Sequence, residues 1–162
     1  MRWEAFAGAV PELAKLAEAR FGTDGLSLVG TLRRDGSPRI SPCEIDFASG
    51  ELLLGMMWHS RKALDLLRDP RVVVHSVARD MEGAEGDVKL HGRAVDISDP
   101  DLREAYRDAI RARTDWAPDE PEYHLFALDV QSAGYTVFGE ERYALAWDPE
   151  RGLRRRPIAE TG

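Results

Sequence analysis

Cysteine is nearly absent from this chain. Cys43 is the only one in 162 residues, so no disulfide can form within it, and a single thiol suits a reducing compartment. Basic charge is also short: 22 Lys and Arg stand against 29 Asp and Glu, a net charge of -7. A general nucleic-acid binder needs a basic footprint to neutralise phosphates, which excludes that class. Long apolar runs are missing. The longest, residues 52–58, falls far short of the roughly 20 residues that span a bilayer. The N-terminus carries acidic Glu4 and no basic start with an apolar core, so no signal peptide is expected. His59, His75, His91 and His124 lie on separate segments without metal-ligand spacing. No nucleophile elbow surrounds Ser41 or Ser60. No internal repeat or low-complexity tract is present. The expectation is one soluble, cytoplasmic domain with no nucleic-acid or membrane partner, long enough to fold without disulfides or metal.

What is present is a strand-rich pattern. Trp3, Phe6, Val10, Leu13 and Ala17 recur at helical spacing, and Pro11 either breaks a short first turn or opens the main helix. Gly22 to Gly25 ends that segment. Residues 26–33, 39–47 and 52–57 read as a three-stranded meander, with Asp35-Gly36 as a hairpin turn and Ala48-Ser49-Gly50 as the next. The unalternating run at 52–57 predicts a strand covered on both faces. Ser60 reads as the N-cap of a helix at 61–68 with Ala63, Leu64 and Leu67 on one face. Residues 72–74 form a buried strand and 78–86 a loop. Residues 87–97 form a strand whose apolar parity switches, predicting a bulge near Gly92. Ser98-Asp99-Pro100-Asp101 opens a helix to about 113. Strands follow at 124–130, 134–138 and 142–147, then an arginine-rich tail. The fold class is mainly β (α+β): an antiparallel barrel with about three flanking helices, over a helix at about 1–22, a barrel at about 26–148 and a tail at 149–162.

The most informative stretch is a buried strand followed by Trp58-His59 and then Ser60-Arg61-Lys62 opening a helix. Free amides, a hydroxyl, a guanidinium and an ammonium gathered at a helix start can hold a phosphate dianion. The plainer alternative is a serine cap followed by two solvated cations. One strand earlier, Arg39, Ser41 and Cys43 share a face. Pro42 cannot donate a ladder bond, so that strand is unpaired there on one side, and its free backbone groups can meet a flat heterocycle. Cys43 reads as a small core residue rather than a nucleophile. Trp3 reads as core and Trp116 as loop packing, while Trp58 and Trp147 are open to stacking.

The succession of residues 30–42 (GTLRRDGSPRISP), 52–57 (LLLGMM), 60–66 (SRKALDL) and 69–72 (DPRV), followed by KLHGRA at 89–94, resembles the pyridoxamine 5'-phosphate oxidase-like flavin-binding split barrels. The resemblance implies a homodimer with flavin mononucleotide (FMN) in a cleft between subunits, acting on a small-molecule substrate. Arg61 and Lys62, after Ser60, would match the basic pair on the cofactor phosphate. Arg39, Ile40 and Ser41 would flank the isoalloxazine, and Met56 and Met57 would supply backbone contacts under it. Gly55-Met56 stands where the oxidases proper carry an aromatic residue and Thr, and their substrate-phosphate set of Lys, Tyr, Arg and Ser is not matched. Oxidation of pyridoxamine phosphate is therefore not supported.

The implied activity is a flavin-dependent oxidoreductase in which hydride chemistry belongs to the cofactor, so no catalytic side chain is assigned. A reductase using a 5-deazaflavin is the first alternative; its longer phosphorylated tail would need further cations, for which Lys89 or Arg93 would serve. A non-catalytic protein binding flavin or a tetrapyrrole-sized ligand is the second.

Overall fold

A computed structural model describes residues 1–23 and 25–159 of the protein. Asp24, inside the expected helix-ending turn, and residues 160–162 of the expected tail lie outside the described residues. Four helices form among the described residues where about three were expected, because Val10 and Pro11 divide the N-terminal segment. α1 (Trp3–Ala9) ends at Val10, whose φ of -138° and ψ of 63° leave the helical region. α2 (Pro11–Gly22) restarts with Pro11 in its first turn, where a missing N–H costs nothing. The two alternatives left open by the sequence occur in succession.

β1 (Leu26–Leu32) and β2 (Pro38–Ala48) are joined by the expected Asp35-Gly36 turn. The Asp35 carboxylate accepts from the Ser37 amide at 3.0 Å and its hydroxyl at 2.7 Å. β3 (Glu51–Met57) follows the Ser49-Gly50 turn, both residues at positive φ, as the mirror-image hairpin turns require. α3 (Arg61–Arg68), β4 (Arg71–Ser76) and β5 (Asp87–Asp96) come next. α4 (Pro100–Thr114) begins where Asp99 accepts from the Leu102 amide at 2.9 Å with Pro100 in the first turn. β6 (Tyr123–Phe138), β7 (Arg142–Asp148) and β8 (Gly152–Pro157) complete the chain. The antiparallel sheet runs β3-β2-β1-β4-β5-β6-β7-β8, and β3 also pairs with β6. The first six strands in that order therefore close a barrel, and β7 and β8 extend the sheet beyond it.

The two strands expected at 124–130 and 134–138 are one long strand, β6. Its partner register explains why. Across from His91 and Gly92 of β5 stand Ser132 and Val130, which leaves Gln131 as the extra residue of a bulge. The bulge lies beside Gly92 as expected, but the parity switch belongs to β6. Phe126, Leu128 and Val130 are buried before it, and Ala133, Tyr135 and Val137 after it. On β5 the buried positions stay even through Val88, Leu90, Gly92 and Ala94, while Val95 is exposed. The arginine-rich segment is not an unstructured tail: residues 152–157 form β8 on β7, with Arg155 and Arg156 still exposed to solvent. Arg154 is paired with Asp148, and Arg155 is paired with Glu141 and lies 3.7 Å over the Tyr143 ring.

The main core fills the barrel with Val29, Ile45, Leu54, Val74, Leu90 and Phe126, joined by Phe6, Leu13 and Phe21 from α1 and α2. Each such side chain contributes about 1.5–3 kcal/mol by leaving water. A second cluster sets Leu53 and Leu125 against Tyr106 and Ile110 of α4. Leu52, Leu53 and Leu54 are all fully buried, so β3 is covered on both faces, as its unbroken apolar run predicts. α3 differs from expectation: it buries Ala63, Asp65 and Leu66, while Leu64 and Leu67 are exposed. The buried face has turned toward the Asp65 carboxylate, which Thr31, Arg39 and Arg68 supply with hydrogen bonds.

A Cβ at Gly92 would lie 2.1 Å from the Asp129 carbonyl oxygen, so backbone must shift to admit it. Gly92→Ala should lower unfolding stability by about 1–3 kcal/mol, read from urea denaturation. His91→Ala, one residue along on the exposed face, should change it by less than about 0.5 kcal/mol. Equal effects would show that the bulge contact carries no constraint.

Candidate functional site

β2 pairs with β1 from Pro38 to Glu44, but its pairing with β3 begins only at Glu44 opposite Gly55. Residues 38–43 of β2 thus keep one edge open, the consequence expected of Pro42. Beyond Gly55, Met56 and Met57 pair instead with His124 and Tyr123 of β6. Between the separated strands lies a cleft of about 490 Å³, lined by Cys43, Glu44, Met56, Met57, Trp58 and Lys62, with Tyr106 and Trp116 also on its walls. That volume suits a small organic ligand. Its floor requires Gly55, where a Cβ would stand 1.8 Å from the Tyr106 hydroxyl. Burial, with Glu44 nearby, holds the Tyr106 phenol far above its usual range. It stays protonated and donates to Glu44 Oε2 at 3.4 Å.

The start of α3 borders this cleft. Ser60 occupies the N-cap position with φ -60° and ψ 147°, but its side chain makes no cap hydrogen bond. Its Oγ is buried with no hydrogen-bond partner among the described residues. A buried hydroxyl left unsatisfied costs about 1–3 kcal/mol, so this atom is set to receive a partner from elsewhere. The first-turn amides of α3 also lack intrahelical acceptors. Lys62 faces the cleft with Met56 and Met57, whereas Arg61 lines a neighbouring depression with Arg39. The two cations flank the helix start on either side.

That second depression holds a cluster of charge. Asp65, 4% exposed, accepts from the Thr31 hydroxyl at 3.0 Å, Arg39 Nε at 2.7 Å and Arg68 Nη2 at 3.2 Å. Burial pushes the Asp65 carboxyl upward, but the hydrogen bonds from Arg39, Thr31 and Arg68 outweigh it and hold the group below the usual carboxylate range.

The remaining predicted residues are placed as follows. Ser41 is half-buried on the inward face of β2 with Arg39 and Cys43, as its parity predicts, while Ile40 points outward and is 74% exposed. Met56 is buried and Met57 is exposed at the cleft mouth. Lys89 is not brought to the group: it stands on the outer face of β5, paired with Asp87 at 3.0 Å. Trp147 is buried against Phe6 and is not available for stacking on a ligand, whereas Trp116 is exposed on the cleft wall rather than packed in its loop. Trp58 stacks on His124 at 4.5 Å and 12° and separates this cleft from a depression of about 660 Å³ beside α4. His124 is held neutral by burial, which lowers its pKa. Sequence reasoning missed Asp65, which looks from its spacing to Arg61 and Arg68 like a solvated helix pair. It also missed the union of the hairpin arginines with α3.

The family model described as pyridoxamine 5'-phosphate oxidase matches residues 14–136. No curated protein matches in sequence. Among solved structures, a heme binding protein from Mycobacterium smegmatis is similar at 22% identity and a TM-score of 0.65, over 91% of this chain. The chain spans only 58% of that protein's length. PhzG from Burkholderia lata 383, in complex with tetrahydrophenazine-1-carboxylic acid, shares 13% identity over 98% of this chain and 93% of its own, with a TM-score of 0.65. A pyridoxamine 5'-phosphate oxidase-related, FMN binding protein from Nostoc punctiforme PCC 73102 shares 18% identity over 96% and 95%, with a TM-score of 0.61. Identities this low establish a shared fold.

Burial pushes the Cys43 thiol up to about 12, with Lys62 opposing and Glu44 reinforcing. Native protein at pH 8 should therefore leave Cys43 unmodified by a thiol-specific disulfide reagent over minutes, with one thiol released on denaturation; rapid native labelling would refute its burial. Asp65 has a depressed native pKa, so its stabilisation is fully present above the unfolded carboxylate value near ~4 and is lost as pH falls through the native value. Asp65→Asn should cost about 1.5–3 kcal/mol at pH 7, a gap to wild type that closes on acidification. A gap that widens toward pH 3 would contradict the sign.

Proposed function

The chain belongs to the pyridoxamine 5'-phosphate oxidase-like FMN-binding family, and from that membership we propose that it binds FMN at the open seam between β2 and β3 and serves as a flavin-dependent oxidoreductase for a small-molecule substrate. The observation that carries this reading is the buried, unpartnered Ser60 hydroxyl at the start of α3, flanked by Arg61 and Lys62. A phosphate there would receive the hydroxyl, the first-turn amides and two cations at once. Met56, Met57 and the unpaired edge at Arg39, Ile40 and Ser41 border the seam where a planar ring would lie. When bound, the flavin supplies the two-electron chemistry. The protein's own side chains bind, orient and exclude water, with Trp58 and Trp116 on the cleft wall and a neutral Tyr106 as a fixed hydrogen-bond donor.

The same reading includes a homodimer with the cofactor at the subunit interface. Leu28, Ile40 and Val95 are exposed on the outer faces of β1, β2 and β5, and a second copy of the chain would cover them. Lys89, remote from the seam within one chain, would then be judged by what it meets in the partner.

Charged hydrogen bonds contribute about 1.5–3 kcal/mol each, so losing one should weaken FMN binding roughly ten- to a hundredfold, and Arg61→Ala with Lys62→Ala should give a folded protein with FMN affinity lowered by about a hundredfold or more. Riboflavin, lacking the phosphate, should bind wild type and variant alike. Unchanged FMN affinity in the variant would remove the phosphate from α3. The absorption spectrum and mass of the copurifying small molecule separate FMN from a 5-deazaflavin or a tetrapyrrole. Reduction by NADH or NADPH separates an oxidoreductase from a binding protein without turnover.

A further inference from the structure

We propose that the depression between the end of β5, the start of β6 and α4 binds an organic ammonium ion with an apolar or aromatic body. This site lies across Trp58 from the seam assigned to FMN; it goes beyond the flavin reading and does not depend on it. The observation that carries it is His124, 8% exposed, whose Nε2 is buried with no hydrogen-bond partner among the described residues. His124 lines the depression of about 660 Å³ and not the flavin cleft. A buried nitrogen left unbonded is costly, and a ligand seated against the ring edge supplies the partner that the fold does not.

The walls select the charge of that ligand. Arg103 is the only Arg or Lys lining the depression among the described residues, and its donors are spent. Its Nε and Nη2 each donate to the Glu120 carboxylate at 2.9 Å. Its Nη1 donates to the Ile97 carbonyl at 3.1 Å and its Nη2 to the Tyr123 carbonyl at 3.2 Å. Two other carboxylates line the space. Asp96 has no hydrogen-bond or ion-pair partner among the described residues, and Glu104 meets Arg107 at 3.5 Å. An anion would therefore face unpaired negative charge with no cation left to receive it. Burial lowers the His124 pKa, with the Asp96 carboxylate opposing, so the ring is neutral and, with its proton on Nδ1, offers a lone pair at Nε2. An ammonium group has three donors and no acceptor, which matches a lone pair beside a free carboxylate. Trp58 and Leu67, both half-exposed, join Pro100 and Pro121 as an apolar wall for the body of the ligand, and the indole face attracts a nearby cation. Among the described residues no three His, Cys, Asp or Glu side chains gather as metal ligands, so the donor set fits an organic cation rather than an inorganic one.

Isothermal titration of the full chain with phenethylamine, protonated at neutral pH, tests the site, with hydrocinnamate as the anion of matching shape. The amine should bind about tenfold or more tightly than hydrocinnamate. His124→Phe keeps a flat ring against Trp58 and deletes the nitrogen. Asp96→Asn changes an exposed side chain and deletes the charge. Each should weaken amine binding about tenfold or more, with circular dichroism reporting that the variant is folded. If His124→Phe does not fold, Asp96→Asn decides alone. Glu122→Gln, on the wall of the flavin cleft, should leave amine affinity within about twofold. Absence of amine binding, equal binding of hydrocinnamate, or unchanged affinity in either folded variant overturns the proposal. A loss in Glu122→Gln, or displacement of the amine by FMN, also overturns it, because the amine then sits in the flavin cleft. Failure of the chain to bind FMN overturns the flavin reading alone and leaves the amine result to stand by itself.

Discussion

A closed barrel requires each strand to pair on both edges, and β2 meets that requirement for only part of its length, pairing with β3 from Glu44 to Ala48. Pro42 has no amide to donate, and ladder pairing with β3 stops at Glu44 and Gly55. Everything chemically distinctive about the molecule follows from that interruption. Met56 and Met57 are released from β2 while remaining tied to β6, which leaves both the seam and a row of backbone groups facing it. α3 follows directly from β3, so its first turn is delivered to the lip of the opening. A barrel laddered without interruption around its circumference would have no lip to build on.

The opening is held from two sides. Gly55 lets Tyr106 of α4 approach β3 closely, and the buried phenol makes a long hydrogen bond to Glu44. On the other side, Asp65 replaces the apolar residue that a buried helix face would ordinarily carry. One carboxylate shared by Thr31, Arg39 and Arg68 ties β1, β2 and α3 together. Burying such a charge is costly unless its lone pairs are filled, and here three donors fill them. The arrangement fixes the direction of two arginine side chains that would otherwise sample many rotamers.

Much of this was legible in the residues themselves. The hairpin turns, the doubly covered β3, the α3 and α4 starts and the open edge at Pro42 all follow from local rules of φ, capping and ladder donation. The misread features share a cause: each depends on a partner distant in the chain. The parity switch near Gly92 is visible on β5, but only the register with β6 shows which strand holds the extra residue. Leu64 and Leu67 look like the buried face of α3 until the partners of Asp65 are known. The arginines of β8 do stay largely solvated, but only β7 reveals the ladder they ride on and the partners Asp148 and the Tyr143 ring. Ser60 was legible as an N-cap position, but not as a hydroxyl with nothing to bond.

The arginine depression also bears on how quickly anions arrive. Most of the surface of a chain with net charge -7 repels them, yet one concave region presents guanidinium groups held partly out of solvent. Field lines from such a concave patch concentrate along its axis, so a diffusing anion is turned toward the depression and away from the remaining surface. The contrast between an acidic exterior and a basic hollow thus acts on encounter frequency before any hydrogen bond forms. Added salt, with a Debye length of about 8 Å at physiological strength, shortens the reach of that guidance while leaving the short-range geometry around Asp65 intact.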